Sequence, residues 1–306
     1  MTDPVQPDTF RCGHVALCGR PNVGKSTLLN KLLGQKLSIT SRKPHTTRWH
    51  ILGIKSSQNY QLIFMDLPGL RRQHGNQMNR FMHREVAQGL LAVDSVVFIL
   101  EAGRWLEEDV YVLEQLKSIN KPVYAVLNKT DRLADKGELL PFIKTLSTCY
   151  EFADIIPISA KTGYQTAELE KLLADKMPLA PAIFPDDQIS DRNERFFMAE
   201  LLREQLMRFL GDELPYCSAV TIEHMGDRNK AEIVITDIHA VIWVETEGQK
   251  AIVIGQAGER MKKISTAARL SMEAFLEHKV NLKTWVKVRD KWTDDERSLG
   301  QFGYQH

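Results

Sequence analysis

At 306 residues the chain is longer than a single hydrophobic core usually supports, so two domains are expected. Its 43% hydrophobic and 26% charged content is that of a soluble globular protein and excludes disordered and fibrous classes. No apolar run approaches the roughly twenty residues that span a bilayer, residues 1–10 lack a secretion pattern, and Cys12, Cys18, Cys149 and Cys217 lack metal-ligand spacing. A cytosolic chain without disulfides or structural zinc is expected.

The first apolar run, residues 14–18, reads as a strand. It leads into Gly19-Arg20-Pro21-Asn22-Val23-Gly24-Lys25-Ser26, a GxxxxGKS loop, and then a helical stretch from Thr27 over residues 27–33. In that setting the glycines expose successive backbone N–H groups to phosphate and the helix N-terminus adds positive partial charge. Lys25 reaches the terminal phosphates, and the Ser26 hydroxyl ligates magnesium. A nucleoside triphosphate site is therefore expected.

A polar loop, Pro44-His45-Thr46-Thr47-Arg48, precedes the next strand, and one of its threonines completes magnesium coordination when triphosphate is present. Thr47 is the preferred ligand and Thr46 the alternative. Strands are expected over residues 49–55 and 61–66, joined through a turn at Ser57-Gln58-Asn59. Asp66-Leu67-Pro68-Gly69 ends the second of them, so Asp66 can hold the metal through water while the Gly69 N–H meets the γ-phosphate. Loops ordered by the γ-phosphate in this way act as switches.

Helices over residues 78–91, 107–119, 138–146 and 166–176 alternate with strands over 95–100, 123–127 and 155–158. That alternation predicts a mostly parallel sheet with helices on both faces. After the fifth strand, Asn128-Lys129-Thr130-Asp131 spells NKxD. The Asp131 carboxylate can accept both the ring N–H and the exocyclic amino group of guanine, a donor pair that adenine lacks. Lys129 would lie along the base, Asn128 would brace the phosphate loop, and Ser159-Ala160-Lys161 would offer backbone N–H to the guanine oxygen.

Three prolines between residues 178 and 185 then break the pattern. The chain accordingly divides into a nucleotide-binding domain over residues 12–178, a linker over 179–190, and a second domain over 191–306. This domain begins with a helix over 191–210, whose Phe197, Leu201, Met207 and Leu210 form an apolar stripe. Strands over 218–224 and 231–245 flank a turn at Gly226-Asp227-Arg228-Asn229. Gly255-Gln256-Ala257-Gly258 follows, then a helix over 259–278 with Arg260, Lys262, Lys263 and Arg269, then a strand over 281–288. The net charge of +1 hides a cluster between Arg260 and Lys291, with nine Lys/Arg against three Asp/Glu. Such a cluster suits a polyanion-facing surface or a solvated helix face. Alternation with apolar neighbours places Trp285 in the core, whereas Trp292, beyond the strand, fits either core or surface.

The ordered set GRPNVGKS, TTR, DLPG, NKTD and SAK resembles the translation-factor-like GTPases, and GRPNVGKSTLLN with KPHTTR is similar to their Era branch. Helix, two strands, GxxG between helices and a final strand resemble a type II KH domain, in which the glycines of the loop let an RNA backbone approach. The C-terminal stretch with Trp285 and with Trp292-Thr293-Asp294-Asp295-Glu296-Arg297 matches the same branch, so the resemblance covers residues 13–304. It implies a P-loop G domain followed by an α+β KH domain, slow GTP hydrolysis with Mg²⁺, and switching between GTP and GDP states. Its implied partners are the 3′ end of small-subunit (16S) ribosomal RNA and the 30S subunit precursor. A cytoplasmic location with peripheral association at the inner membrane is also implied. By the resemblance the RNA-binding residues are Gly255 to Gly258 with Arg260, Lys262 and Lys263.

Three departures stand out. Leu67 occupies a position where the branch typically has Thr. Leu70 stands where Ras-like enzymes place the Gln that orients attacking water, a hydrophobic replacement shared by the branch. Gln256-Ala257 carries no charge where a Lys is frequent. Two other readings remain: an RNA-binding scaffold with structural nucleotide, and a GTPase assisting tRNA modification, although the C-terminal cysteine motif of the latter is missing.

Overall fold

The computed structural model describes residues 9–41, 43, 46–70, 77–211, 214–230 and 233–302. They form two compact units. One comprises Met1–Ser38, Thr47–Gln73 and Met82–Asp191; the other comprises Ile39–Thr46, His74–Phe81 and Arg192–His306.

The first unit is built on a six-stranded sheet in the order β2-β3-β1-β4-β5-β6. Its strands are β1 (Arg11–Cys18), β2 (Ile51–Ser56), β3 (Tyr60–Asp66), β4 (Ser95–Glu101), β5 (Val123–Asn128) and β6 (Asp154–Pro157). β2 runs antiparallel to β3 and all other pairings are parallel. The expected mostly parallel sheet is present. Central strands read as continuous apolar runs because both faces are covered: Val96 to Leu100 are all fully buried. Helices α1 (Lys25–Leu33), α2 (Gln77–Leu91), α3 (Glu107–Lys117), α4 (Leu139–Cys149) and α5 (Thr166–Lys176) do the covering. Val86 and Leu90 of α2, Val112 and Leu116 of α3, and Leu146 of α4 pack in one core with Phe98 and Leu100.

β1 lies between β3 and β4, so the strand order reverses there, and the loops leaving the carboxyl ends of neighbouring strands diverge into a crevice. The proline-rich segment expected as a linker is laid along this unit. Gln61 fixes it, accepting from the Ile183 and Phe184 amides at 2.9 and 3.0 Å and donating to the Phe184 carbonyl at 2.8 Å. Ala180, Ala182 and Phe184 pack on Phe10, Cys12 and Ile63.

The second unit holds α6 (Glu194–Phe209), β7 (Ala219–Lys230), β8 (Ile233–Val244), α7 (Glu247–Ile254), α8 (Glu259–Leu276), β9 (Lys279–Val288) and α9 (Glu296–Gln301). The Asn193 side chain accepts from the Phe196 amide, so α6 starts after the expected Asp191. β7 and β8 are antiparallel and β8 and β9 parallel. Alternate β8 residues Thr236, Ile238, Ala240, Ile242 and Val244 are buried, as are Ile264, Ala268 and Met272 of α8. α6 and α8 pack on each other and on the sheet.

Two expectations fail here. Gly226-Asp227-Arg228-Asn229 is not a turn but the end of β7, paired in register with residues 234–237. Glycine and Asx residues signal reversal, yet cross-strand hydrogen bonding extends the hairpin past them. The pairing continues to Lys230 opposite Ile233. Trp285 is not core: it is 44% exposed on the side of β9 away from α6 and α8, while Trp292 is fully buried and its indole N–H donates to the Cys217 carbonyl at 3.0 Å.

Candidate functional site

The phosphate loop joins β1 to α1. Gly24 has φ 106° and a Cβ there would lie 2.2 Å from Asn128 Nδ2, so only glycine fits this corner. Asn22 also adopts a left-handed conformation, with φ 64°. Lys25 is buried, and its ammonium donates to the Gly19 and Arg20 carbonyls at 3.0 and 3.1 Å. Burial pushes the Lys25 pKa down, with Asp66 opposing the shift.

Ser26, Thr47 and Asp66 meet at the loop. The Ser26 hydroxyl donates to Asp66 Oδ2 at 2.8 Å and lies 3.0 Å from Thr47 Oγ1, which is itself 3.5 Å from the same carboxylate oxygen. Asp66 is fully buried, and burial raises its pKa against the pull of Lys25. Its Oδ1 makes no hydrogen bond among the described residues, although the Ser38 hydroxyl is near enough to draw the pKa back down. A buried carboxylate oxygen lacking a donor, beside two hydroxyls, fits a hard oxygen-seeking divalent cation. Among the described residues, no group of three or more His, Cys, Asp or Glu could hold a metal ion.

Of the two threonines, Thr47 joins this cluster, whereas the Thr46 hydroxyl donates to the Lys43 carbonyl at 2.8 Å. Arg48 is buried. His45 lies outside the described residues. Leu67 and Pro68 are buried and Gly69 follows them beside Pro21. Leu70 is also buried, packed in the sheet–helix core with Leu67.

The base-side residues come together from three strand ends. Asn128 Nδ2 donates to the Val23 carbonyl at 2.8 Å, and its Oδ1 accepts from the Ala160 amide at 2.9 Å. One side chain thus ties the phosphate loop to the Ser159-Ala160-Lys161 loop. Thr130 Oγ1 donates to the Ile158 carbonyl, and the Ser159 hydroxyl donates to Asp131 Oδ1 at 2.6 Å, holding that exposed carboxylate in place. Lys129 takes a left-handed backbone, φ 67°, and its ammonium lies 2.7 Å from Glu101 Oε2. Lys161 is exposed.

Sequence reasoning missed Glu101 and Asp109. Glu101 pairs in register with Asn128 at the carboxyl end of β4 and lies 3.5 Å from the Arg20 guanidinium. Burial pushes its pKa up, but the hydrogen bond and charge of Lys129, with Arg104 and Arg20, hold it below the ordinary carboxylate value. Asp109 is fully buried at the start of α3, where it accepts from the Leu106 amide at 3.1 Å and pairs with Arg20, also at 3.1 Å. Its only sequence signal is an acidic residue in the first turn of a helix, which reads as a cap.

In the second unit, Gly255, Gln256, Ala257 and Gly258 bridge α7 and α8. Gly255 has φ 73°, and a Cβ there would come within 2.7 Å of the Arg260 Cβ. Gln256, Ala257, Arg260, Lys262 and Lys263 are exposed. Arg260 donates to the Ile252 carbonyl at 2.6 Å, so part of its hydrogen-bonding capacity closes the loop itself.

Two family models match the chain. Residues 14–129 match a family model described as 50S ribosome-binding GTPase, and residues 213–293 match a KH domain model. GTPase Era of Azotobacter vinelandii is 49% identical over 300 residues, covering 98% of this chain and 99% of that protein. GTPase Era of Pseudomonas aeruginosa is 49% identical over 298 residues, covering 97% and 96%. A crystal structure of a variant of Aquifex aeolicus Era bound to GDP and AlF4⁻ superposes with a TM-score of 0.92 at 35% identity, covering 97% of this chain and all of that one. Era in complex with MgGDPNP and nucleotides 1506–1542 of 16S ribosomal RNA gives 0.92 at 36% identity with the same coverage. With near-complete coverage, matching G-domain and KH models and the nucleotide motifs gathered at one sheet edge, the chain belongs to the GTPase Era family.

Proposed function

We propose that this GTPase binds GTP and GDP at the β1-α1 loop with Mg²⁺, hydrolyses GTP slowly, and binds the 3′ end of 16S ribosomal RNA to assist 30S subunit assembly in the cytoplasm. Residues 12–178 act as the nucleotide domain and 191–306 as the RNA-binding domain, with the membrane's cytoplasmic face a peripheral station. The observation that carries the nucleotide reading is the convergence of Ser26, Thr47 and the donor-poor Asp66 carboxylate. A magnesium ion there neutralises phosphate charge when bound. For its part, the chain supplies oxygen ligands, places Lys25 against the terminal phosphates, and offers Asp131, held by Ser159, to the guanine donors.

The RNA reading rests on the Era relative solved with a 16S fragment and on the exposed Gly255 to Gly258 loop with Arg260, Lys262 and Lys263. Filter binding of a 3′-end RNA in the presence of a GTP analogue and of GDP tests it. Tighter binding with the analogue is expected; equal, weak binding in both states would end the switching reading. Asp131→Asn should trade guanosine for xanthosine nucleotides in competition assays, and unchanged GTP selectivity would refute the base assignment. Hydrolysis no faster than that of Lys25→Ala would instead favour the scaffold reading.

A further inference from the structure

The three-stranded sheet of the second unit has one face covered by α6 and α8 and one that these two helices leave uncovered, where Trp243 packs against Phe302, the residue after α9. On the uncovered face β9 carries Lys279, Lys283, Trp285 and Lys287 at alternate positions, all exposed. Trp285 is paired in register with Val241, which is fully buried. The His239 ring packs against Trp285 edge-on at 5.4 Å between centroids, and the His224 ring lies 5.0 Å from His239. An aromatic row therefore crosses all three strands. Four residues beyond His239 along β8, the Lys287 ammonium lies over Trp243, 5.5 Å from the ring centroid.

Exposed tryptophan on an open sheet is costly unless something covers it, since indole buries more apolar area than most side chains. The neighbours identify the occupant. Lys283 and Lys287 sit on either side of Trp285 along one strand, spanning about 13 Å at the rise of an extended chain. Alternating ring faces and cations match a ligand of alternating flat bases and phosphates. A duplex hides its base faces, so the match is to unpaired nucleotides. The acidic residues on this face, Glu223 and Asp237, are each held by a cation, Lys287 at 3.1 Å and Arg228 at 2.6 Å, which reduces their repulsion of phosphate.

We propose that the face of this sheet away from α6 and α8, centred on Trp285 with His239, His224, Lys283 and Lys287, is a second binding surface for single-stranded RNA, separate from the GxxG loop in the helical layer. A strand engaged by that loop has unpaired flanks, and this face is built to stack one of their bases.

The test uses the full chain and a fluorescently labelled, unstructured RNA of about thirty nucleotides, read by anisotropy and by ultraviolet crosslinking with peptide mapping. Trp285→Ala should weaken binding about tenfold, the loss of one base stack, while Trp285→Phe keeps affinity within about threefold. Lys283→Ala should lower the slope of log K against log salt by about 0.7. Crosslinks should map to the peptide containing Trp285. Parental affinity and salt slope in Trp285→Ala and Lys283→Ala, or crosslinks confined to α8 and its loop, would overturn the proposal. Equal loss in Trp285→Ala and Trp285→Phe would reveal a folding lesion rather than stacking and would also overturn it. Competition by polyglutamate as effective as that by RNA would assign the face to an acidic protein instead. Gly258→Asp separates the two readings: loss there with none at Trp285 leaves the GxxG loop alone, and the reverse leaves this face alone.

Discussion

Asn128→Ala should damage the nucleotide site without touching phosphate or metal. Asn128 is 2% exposed, and its two hydrogen bonds, 2.8 Å to the Val23 carbonyl and 2.9 Å from the Ala160 amide, join loops distant in sequence. Alanine removes both and strands two buried backbone groups, each costing about 1–3 kcal/mol when unpaired. The space vacated by the amide lets water reach one of them, which favours the lower half of the range, about 3 kcal/mol. For a domain of this size that corresponds to a fall of about 6–12 °C in the first unit's transition. Differential scanning fluorimetry without nucleotide measures it. Isothermal titration should then show GTP and GDP affinities falling together, with their ratio within about threefold of the parent, because the brace shapes the loops rather than reading the γ-phosphate. A transition within about 1 °C of the parent, or selective loss of GTP with GDP intact, would show that Asn128 is not the brace.

Asp66→Asn should abolish magnesium-dependent nucleotide binding yet raise the melting temperature of the nucleotide-free protein, by about 2–4 °C for each kcal/mol relieved. Burial raises the Asp66 pKa, so the native state holds that proton more tightly than the unfolded chain. The stability it contributes is present below the unfolded carboxylate range and is lost as pH rises through the folded value; a melting curve flat across that window, or an unstabilised variant at neutral pH, would contradict this. In the second unit, Trp292→Ala should cost about 3–5 kcal/mol by deleting a fully buried indole. Trp292→Phe should cost about 1–3 kcal/mol by leaving the Cys217 carbonyl without its N–H donor. A Trp292→Phe variant that unfolds in denaturant at the parental midpoint would show the hydrogen bond to be irrelevant.

How far the chain's own pattern revealed these features depends on how local their causes are. The phosphate loop, Asp66 and Asn128 each sit directly after an apolar strand, and a strand of a parallel sheet must end at the crevice edge, so their meeting was readable. Glu101 and Asp109 were not, because their roles exist only through β4–β5 register and the approach of Arg20 to α3. Trp285 was misplaced, and Trp292 left open between core and surface, for a related reason. Alternation tells which residues share a face of a strand, but which face the helices cover is decided by the joint packing of α8 and of α6, the latter far away in sequence. The turn at 226–229 failed because local turn chemistry is weaker than continued pairing with β8.

Leu70 bears on how hydrolysis proceeds. Its side chain is 5% exposed and packs with Leu67, Val86 and Leu90, so it is committed to the core rather than to the phosphates. A glutamine here would have no route to an attacking water while that packing holds. Leu70→Gln should therefore not restore Ras-like hydrolysis. It should remove about 2 kcal/mol of apolar burial and place an amide where partners are lacking, for a total of about 3–5 kcal/mol. Single-turnover GTP hydrolysis at saturating protein, beside a thermal melt, reads both effects: an unchanged or lower rate with a clearly lower transition is expected. A tenfold faster rate with an unchanged melt would mean that residue 70 turns toward the nucleotide, and the water-positioning group of this GTPase would then be sought in the loop itself. With Leu70 committed to the core, that group must come from another element of the chain or from a bound partner.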